Sequence, residues 1–231
     1  MSVWQRLGSL LQAIGSGGAS LADRLVTAIL GDEAHRRSVA FTAAIVALSA
    51  KMARADGIVT DDEVAAFRSY IHVPPQEETH VRRLFQLAQR DVAGFEYYAA
   101  RIATLFADEP ALKEDVLEGL FLIAAADGFI HESELAFLER VSEILAVDRG
   151  AYACICARHV AAGPRDPYVV LGIPRDASDG ALKARYRDLV RRHHPDRFIA
   201  RGVPPEFVRI ANDRLAAINA AFGQIATERG L

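Results

Sequence analysis

Cysteine is scarce in this chain of 231 residues, which contains only Cys154 and Cys156. Both lie in the helical-looking stretch ACICARHV, where positions two apart point to different faces of a helix, so a disulfide between them is not expected. A thiolate metal site would need further cysteines, and the sequence has none. The cysteine content therefore indicates a protein of a reducing cytosol.

The N-terminus lacks an apolar run long enough to span a bilayer. Its stretch MSVWQRLGSLLQAIGSGGAS is interrupted by glycine and serine and carries little positive charge, whereas a span needs roughly 20 consecutive apolar residues. Its apolar residues fall on one helical stripe: Val3, Trp4, Leu7, Leu11 and Ile14. We expect residues 1–32 to form an amphipathic or loosely ordered segment that packs against the body of the protein. The alternative is weak contact of residues 2–14 with a membrane surface. The expected location is therefore the cytoplasm, or, if that contact forms, a peripheral position at the inner face of the inner membrane.

Alternating β-branched or aromatic runs are also scarce, whereas alanine, leucine and arginine dominate, so the sequence predicts an all-α fold. A hydrophobic fraction of 51% and a charged fraction of 25% are typical of a soluble globular protein, of one large or two small domains at this length. The net charge of −3 is unevenly divided, because residues from Arg165 onward carry +4 and the first 164 carry −7. The two parts are expected to have different partners.

An internal repeat occupies the acidic part. MARADGIVTDDEVAAF from Met52 matches IAAADGFIHESELAFL from Ile123 at a spacing of 71 residues, and each copy follows a helical run. The repeat unit is therefore a helix, a tight turn and a second helix. We expect Gly57 and Gly128 to adopt the left-handed backbone conformation that ends the first helix of each unit.

The two turns match a calcium-binding loop of the EF-hand type only in part. Such a loop needs oxygen ligands at positions 1, 3, 5 and 12, with glycine at position 6. Both copies place Asp, Gly and Glu correctly at positions 5, 6 and 12, but positions 1 and 3 are Met52 and Arg54 in the first copy and Ile123 and Ala125 in the second. We therefore predict structural turns and expect no cofactor.

Further helical segments, at about 75–89, 95–106 and 149–161, predict a bundle of roughly seven helices over residues 33–161. Paired helix-ADG-helix units in an acidic helical domain resemble the TerB-like (tellurite-resistance B) domain, which DjlA-type co-chaperones join to a C-terminal DnaJ module. The resemblance covers about residues 33–160. It also implies an alternative in which acidic side chains of the turns bind a metal in another geometry, with these candidates: Asp56, Glu63, Asp127 and Glu134.

The C-terminal part begins after AAGPRDPY, which breaks helix propensity and predicts a linker at 162–167, followed by a domain at 168–231. Ser178 is a suitable N-cap for a helix over about 179–193. Pro195 disfavours helical geometry at the residue before it, so His194 should leave the helix, and a stiff exposed loop should lead to a second long helix at about 204–227. His193 is expected to pack with the apolar stripe of the first helix.

This arrangement resembles the J domain of DnaJ-type co-chaperones through residues 166–231. The resemblance rests on the DPYxxLG opening, on the basic helix, on His-Pro-Asp, and on the stretch INAAF from Ile218. It implies an antiparallel helical hairpin that docks on the ATPase domain of a DnaK-type chaperone and stimulates its ATP hydrolysis. The residues implied in docking are His194, Pro195, Asp196, Lys183, Arg187, Arg191, Arg192 and Tyr186. Asp188 departs from the family pattern, which often has a basic residue there, and is expected to weaken or redirect docking.

The His193-His194 pair could also serve in zinc binding, in catalysis or in nucleic-acid binding. Zinc lacks third and fourth ligands at suitable spacing, and catalysis lacks a nucleophile or pocket, so the chain is not expected to be an enzyme. Nucleic acid is not an expected partner, because the basic helix has no amide group to read bases and its one aromatic residue, Tyr186, lies on the packing stripe. The alternative to a co-chaperone is a TerB-type envelope-stress adaptor, or a metal-responsive binding protein, that uses the J domain only for recruitment. In either case the bundle has a protein partner or client that the sequence does not identify.

Overall fold

The chain is described from a computed structural model that covers residues 3–5, 7, 33–52, 71, 73–90, 94–125, 128–160 and 166–231. These residues form α-helices and short 3₁₀ turns and contain no β-strand. The helices, in chain order, are α1 (Glu33–Met52), α2 (Glu78–Arg90), α3 (Phe95–Leu105), α4 (Pro110–Ala124), α5 (Glu132–Ile144), α6 (Arg149–His159), α7 (Pro167–Leu171), α8 (Asp179–Arg192), α9 (Pro195–Ala200) and α10 (Val208–Arg229). The predicted all-α fold is confirmed.

Helices α1 to α6 form the N-terminal bundle. Helix α1 packs on α2, α3 and α4, and α4 also packs on α5 and α6. Along α1 and α4 the buried residues cover all faces, so both helices lie inside the bundle rather than on its surface. The central position of α4 matters for the site, because the charged side chains that it carries are surrounded by other elements.

Local signals account for the ends of these helices. Asp148 caps α6 by accepting hydrogen bonds from the backbone N–H groups of Gly150 (2.8 Å) and Ala151 (3.2 Å). Gly128 has a φ of +91°, which confirms the positive φ expected after the second repeat helix. Gly57 lies outside the described residues.

The C-terminal hairpin is formed by α8 and α10, with α7 packed across them. Ser178 caps α8, as predicted, because its hydroxyl accepts a hydrogen bond from the N–H of Ala181 (3.2 Å). At the end distant from His-Pro-Asp, Arg229 donates to the hydroxyl of Tyr168 (3.0 Å) and to the carbonyl of Ala177 (2.6 Å). These bonds attach the last turn of α10 to the start of the domain.

The connection between α8 and α10 differs from the expected irregular loop. His194 leaves the helix, with φ −61° and ψ 136°, but Pro195 then begins the short helix α9. A 3₁₀ turn at Pro205–Phe207 precedes α10, which therefore starts four residues later than the expected position 204. Proline at the first position of a helix loses no hydrogen bond, because that N–H has no partner within the helix.

The hydrophobic interior is divided in a way that the sequence did not indicate. One core is formed by α7, α8 and α10, with Ala157 of α6 packed at its edge, and includes Leu171, Leu182 and Ile218. The other core joins the bundle to five hairpin residues near His-Pro-Asp: Phe198, Val203, Phe207, Ile210 and Ala211. The part of the hairpin that carries His-Pro-Asp is therefore packed into the bundle.

The N-terminal segment joins this shared core as well. Val3, Trp4 and Leu7 are buried, and the Trp4 ring lies 6.1 Å from the ring of Phe207, centroid to centroid. For these three residues the predicted packing against the body of the protein is confirmed. Their apolar side chains are not available to a membrane surface in this arrangement, and Leu11 and Ile14 lie outside the described residues.

Candidate functional site at the His-Pro-Asp segment

The His-Pro-Asp segment, residues 194–196, is built by the junction of two helices. Helix α8 ends at Arg192, and His194 is the N-cap of α9. The ring Nδ1 of His194 accepts a hydrogen bond from the backbone N–H of Asp196 (3.2 Å), which supplies one of the partners that a helix start lacks. The segment is thus held in one backbone conformation by its own imidazole and by the fixed φ of Pro195.

The polar groups of the segment point to solvent. The side chain of His194 is 49% exposed and that of Asp196 is 88% exposed. The carboxylate oxygen Oδ2 of Asp196 lies 3.6 Å from Nδ1 of His194, too far for a good hydrogen bond. The carboxylate can therefore accept hydrogen bonds from a cation outside this chain.

The basic side chains of α8 fall into two groups. Lys183 and Arg187 are exposed and make no hydrogen bond or ion pair with the described residues. Arg191 and Arg192 instead contact the carboxylate of Asp188, at 3.4 Å and 2.9 Å. The carboxylate at this position therefore partly neutralises the end of the basic helix that lies nearest the segment.

Asp188 is charged in this setting. Slight burial would raise the pKa of its carboxyl, but the hydrogen bond and positive charge of Arg192, then the hydrogen bond of Arg191 and the positive charge of Arg185, outweigh this effect and lower the pKa below its ordinary value. The side chain of Asp188 is 27% exposed, so water screens these ion pairs.

Tyr186 lies between the hairpin helices. Its ring stacks on the ring of Phe222, with centroids 4.1 Å apart, and its hydroxyl donates a hydrogen bond to Oδ1 of Asn219 (3.1 Å). It is half-buried, so most of its contact surface is used within the hairpin.

Of the four candidate metal ligands, only Glu134 lies among the described residues. Glu134 accepts a hydrogen bond from the backbone N–H of His131 (2.9 Å) and so caps the start of α5. Asp56, Glu63 and Asp127 lie outside the described residues. Within the part of the chain that the structure describes, no group of three His, Cys, Asp or Glu side chains is arranged to hold a metal ion.

A buried charge network lies behind the segment and was not predicted from the sequence. Asp115 of α4 is fully buried and accepts hydrogen bonds from two hairpin arginines. Arg201, the C-cap of α9, donates from Nε and Nη2 to Oδ2 at 3.0 and 2.6 Å, and Arg214 of α10 donates from Nη1 to Oδ1 at 2.7 Å. One carboxylate of the bundle thus binds the hairpin on two sides.

Glu118, one turn along α4, forms the second half of the charge network. Its carboxylate accepts hydrogen bonds from Nε and Nη2 of Arg158 (3.0 and 2.5 Å), and Nε2 of His159 lies at 2.6 Å. Nε of Arg214 lies 3.1 Å away but lacks the alignment of a hydrogen bond. Burial raises the pKa of Glu118, but Arg158, Arg214 and His159 outweigh it and hold the pKa well below its ordinary value.

His193 connects the segment to the charge network. Its Nδ1 lies 2.8 Å from Nη1 of Arg214, and since a guanidinium can only donate, this nitrogen is the acceptor of a neutral ring. Burial, followed by the positive charge of Arg214, lowers the pKa of His193 to about 2. His193 is half-buried one residue past the end of α8, with its ring against Arg214, and its packing with the apolar stripe of α8 stays a prediction.

The sequence contains a signal for this network in both α4 and α10. Asp115 and Glu118 lie next to the apolar residues Val116 and Leu117 of α4, and Arg214 stands between Ile210 and Ile218 on the buried stripe of α10. Charged residues at buried positions usually pair with each other. The signal identifies such residues, but it does not say which residues meet.

A cavity of about 590 Å³ lies between α6 and α8, beside His193. Arg158, Arg185 and Arg192 are among its lining residues, and each of them already contacts a carboxylate or a carbonyl. Cys154 also lines it, and burial raises the pKa of this thiol, so the thiol is not activated as a nucleophile.

Comparison with known proteins divides the chain between residues 157 and 166, close to the point where the charge composition changes. The family described as Tellurite resistance protein TerB matches residues 42–157, about half of the chain, and the DnaJ domain matches residues 166–222. No solved structure matches. Within the described ranges, no helix is long and apolar enough to cross a membrane.

Several similar proteins bear the name Co-chaperone protein DjlA. That of Shewanella oneidensis is 27% identical over 241 aligned residues, which cover 97% of this chain and 89% of that protein. That of Photobacterium profundum is 25% identical over 225, covering 85% and 80%. That of Vibrio cholerae is 39% identical over 66, covering 29% of this chain and 23% of that protein.

Proposed function

The chain belongs to the TerB family and carries a C-terminal DnaJ domain, and on this premise we propose that it is a co-chaperone that docks on a DnaK-type chaperone and stimulates its ATP hydrolysis. The names of its relatives support this role. The observation that carries the proposal is the exposed carboxylate of Asp196, held at a helix start by Pro195 and the ring of His194.

Docking by this segment needs no reactive group in the chain. The Asp196 carboxylate accepts charge-assisted hydrogen bonds from an arginine of the partner, and Lys183 and Arg187 face an acidic patch there. ATP hydrolysis takes place in the partner, so this chain is a regulator and not an enzyme. The proposal places it in the cytoplasm, with ATP and the partner.

The test is steady-state ATP turnover of the cognate DnaK-type chaperone with increasing amounts of the full chain. We expect the full chain to stimulate this ATP turnover, and we expect either His194→Gln or Asp196→Asn to abolish the stimulation. Asp176→Asn is the matched control, because Asp176 is an exposed aspartate of the same domain with no partner among the described residues. Absence of stimulation, or stimulation that survives both substitutions at the segment, would refute the proposal.

We further propose that the helical bundle supplies the adaptor function by binding a client or protein partner. A candidate contact residue is Phe129 of the second repeat turn, whose side chain is 61% exposed and lies edge-on to the ring of His131. Full chains with His194→Gln, which no longer recruit the chaperone, should still cross-link to other proteins, and Phe129→Ser should reduce that cross-linking. If His194→Gln alone removes every cross-link, the bundle has no partner of its own.

A further inference from the structure

The His-Pro-Asp segment is attached to the helical bundle on both of its flanks. Arg201 follows α9, and its guanidinium contacts the Asp115 carboxylate with Nε and Nη2. Its remaining nitrogen, Nη1, donates to the backbone carbonyl of Arg192 at 3.1 Å. This one side chain therefore joins the last turn of α8, the end of α9 and helix α4 of the bundle.

The preceding flank is attached through the same carboxylate. The second oxygen of Asp115 accepts a hydrogen bond from Arg214, which in turn lies 2.8 Å from the ring nitrogen of His193. Asp115 is fully buried and Arg214 is 2% exposed, so these bonds lie in a medium where an unpaired charge is costly. The bundle thus determines where α8 ends and where α9 ends.

An apolar contact holds the middle of the same stretch. Phe198, two residues after Asp196, is 1% exposed and packs edge-on against Phe41 of α1, with ring centroids 6.1 Å apart. His194 and Asp196 themselves make no hydrogen bond or ion pair with those bundle residues that the structure describes, and they point to solvent. The bundle holds the residues around the segment and leaves the segment accessible.

We propose that Asp115 and Arg201 are positioning residues for docking, so that the TerB-type bundle is part of the apparatus that presents His-Pro-Asp to the chaperone. This inference rests on the proposed function. A preorganised segment binds more tightly than a mobile one, because less conformational freedom is lost on docking. Without the bond between Asp115 and Arg201, α9 would open more often, and docking would require a higher concentration of the chain.

The primary variant is Arg201→Gln in the full chain, because this side chain is 17% exposed and its truncation leaves Asp115 bonded to Arg214. We expect hydrogen exchange of the backbone amides of residues 196–201 to accelerate about tenfold or more without any partner, as for the loss of one or two charged hydrogen bonds. In the ATPase assay, the concentration for half-maximal stimulation should rise by a similar factor, while stimulation at saturation stays near that of the wild type.

Three further variants make the test specific. Arg201→Lys should recover part of the effect, because it restores the charge without the two-pronged contact. Asp115→Asn should act on the same residues, and the double variant with Arg201→Gln should exceed the stronger single one by little, since both remove one contact. Arg140→Gln removes an exposed ion pair of α5, to Glu143, and is the control that should change neither measurement.

The outcomes separate this inference from the proposed function. If the wild type stimulates ATP hydrolysis and Arg201→Gln matches it in both exchange and half-maximal concentration, the positioning role is refuted and the docking function stands. If the wild type does not stimulate, the function fails, and exchange still decides whether Arg201 holds the segment. If Asp115→Asn does not fold, Arg201→Gln alone decides.

Discussion

Asp188 determines how much of the basic helix is available to a partner. It contacts both Arg191 and Arg192, whereas Lys183 and Arg187 have no partner among the described residues. The sequence identified all four cations, but their pairing depends on side-chain directions along one helical turn. The expectation that Asp188 weakens docking stays a prediction and can be measured directly.

Replacing Asp188 by Asn should strengthen docking at low salt. The substitution keeps the shape of the side chain and removes the negative charge that pairs with Arg191, Arg192 and, at 3.7 Å, Arg185. Exposed ion pairs of this kind are worth up to about 1 kcal/mol each. We expect the concentration for half-maximal stimulation of the chaperone to fall by about threefold at low ionic strength, and the difference to vanish as salt screens it. Asp176→Asn is the control, and an unchanged concentration at low salt would contradict the prediction.

His193 should make the stability of the protein depend on pH near neutrality. Its pKa is about 2 in the folded state, below the ordinary value near 6.5 in the unfolded chain. As pH falls below 6.5 the unfolded chain takes up a proton that the folded state does not, so the free energy of unfolding decreases. At pH 5.5 the decrease relative to pH 7.5 should be about 1.4 kcal/mol, measured by urea unfolding.

The variant His193→Gln isolates this effect. It should lose most of the pH dependence between pH 7.5 and 5.5, while His194→Gln, which removes an exposed ring, should keep it. Glu118 does not contribute in this window. Its depressed pKa stabilises the folded state above about pH 4.5, and this contribution is lost only as pH falls further. An unchanged slope in His193→Gln would show that another group is responsible.

Helix boundaries were predictable where the sequence contains a cap or a long apolar period. Ser178 and the stripe that includes Ile210 and Ile218 gave the start of α8 and the course of α10. Helix α9 was not predictable, because six residues after a proline contain too little periodicity to distinguish a helical turn from a loop. The contact of Arg201 with Asp115 was also not predictable, since 86 residues separate them.

Gly172 ends α7 where that helix meets α6 of the bundle, and it should not tolerate a side chain. Its φ is +62°, and an added Cβ would lie 2.8 Å from Sγ of Cys154. Gly172→Ala should lower the free energy of unfolding by about 1–2 kcal/mol from the backbone alone, plus the cost of the close contact.

A second substitution separates the two causes. Adding Cys154→Ala to Gly172→Ala removes the sulfur atom and should restore only the part that is due to this contact, while the approach of the new Cβ to Nη2 of Arg185, at 3.0 Å, remains. Gly223→Ala is the control, because Gly223 lies inside α10 with nothing within 4 Å, and alanine there should stabilise the helix by about 0.5–1 kcal/mol. Urea unfolding measures all four chains. Equal stability of Gly172→Ala and the wild type would contradict the argument.

The arrangement of the two domains could be predicted only in part. The composition change near residue 165 indicated two parts, and their order is that of the two matched families. The sequence suggested a hairpin on a linker, yet the His-Pro-Asp end of the hairpin shares its core with the bundle and the N-terminal segment. Apolar periodicity shows which face of a helix is buried and does not identify the element that covers it.

The shared core should make the bundle and the His-Pro-Asp end of the hairpin unfold together. Phe207 is fully buried, and its ring lies 5.2 Å from that of Phe41 and 6.1 Å from that of Trp4, the only tryptophan of the chain. Phe207→Ala should therefore lower the free energy of unfolding by about 3–5 kcal/mol. Tryptophan fluorescence and far-ultraviolet circular dichroism should shift to the same lower midpoint, because Trp4 belongs to that core.

The control for this prediction is a cavity in the other core, which is formed by α7, α8 and α10. Leu182 is fully buried there, so Leu182→Ala should cost about 2–5 kcal/mol without removing any contact to Trp4. Hydrogen exchange should then accelerate most in α7, α8 and the C-terminal half of α10, and less around Trp4. If Phe207→Ala instead leaves the fluorescence transition where it is in the wild type, the two domains unfold independently. A bundle that unfolds independently of the His-Pro-Asp segment could not be what holds the segment in place.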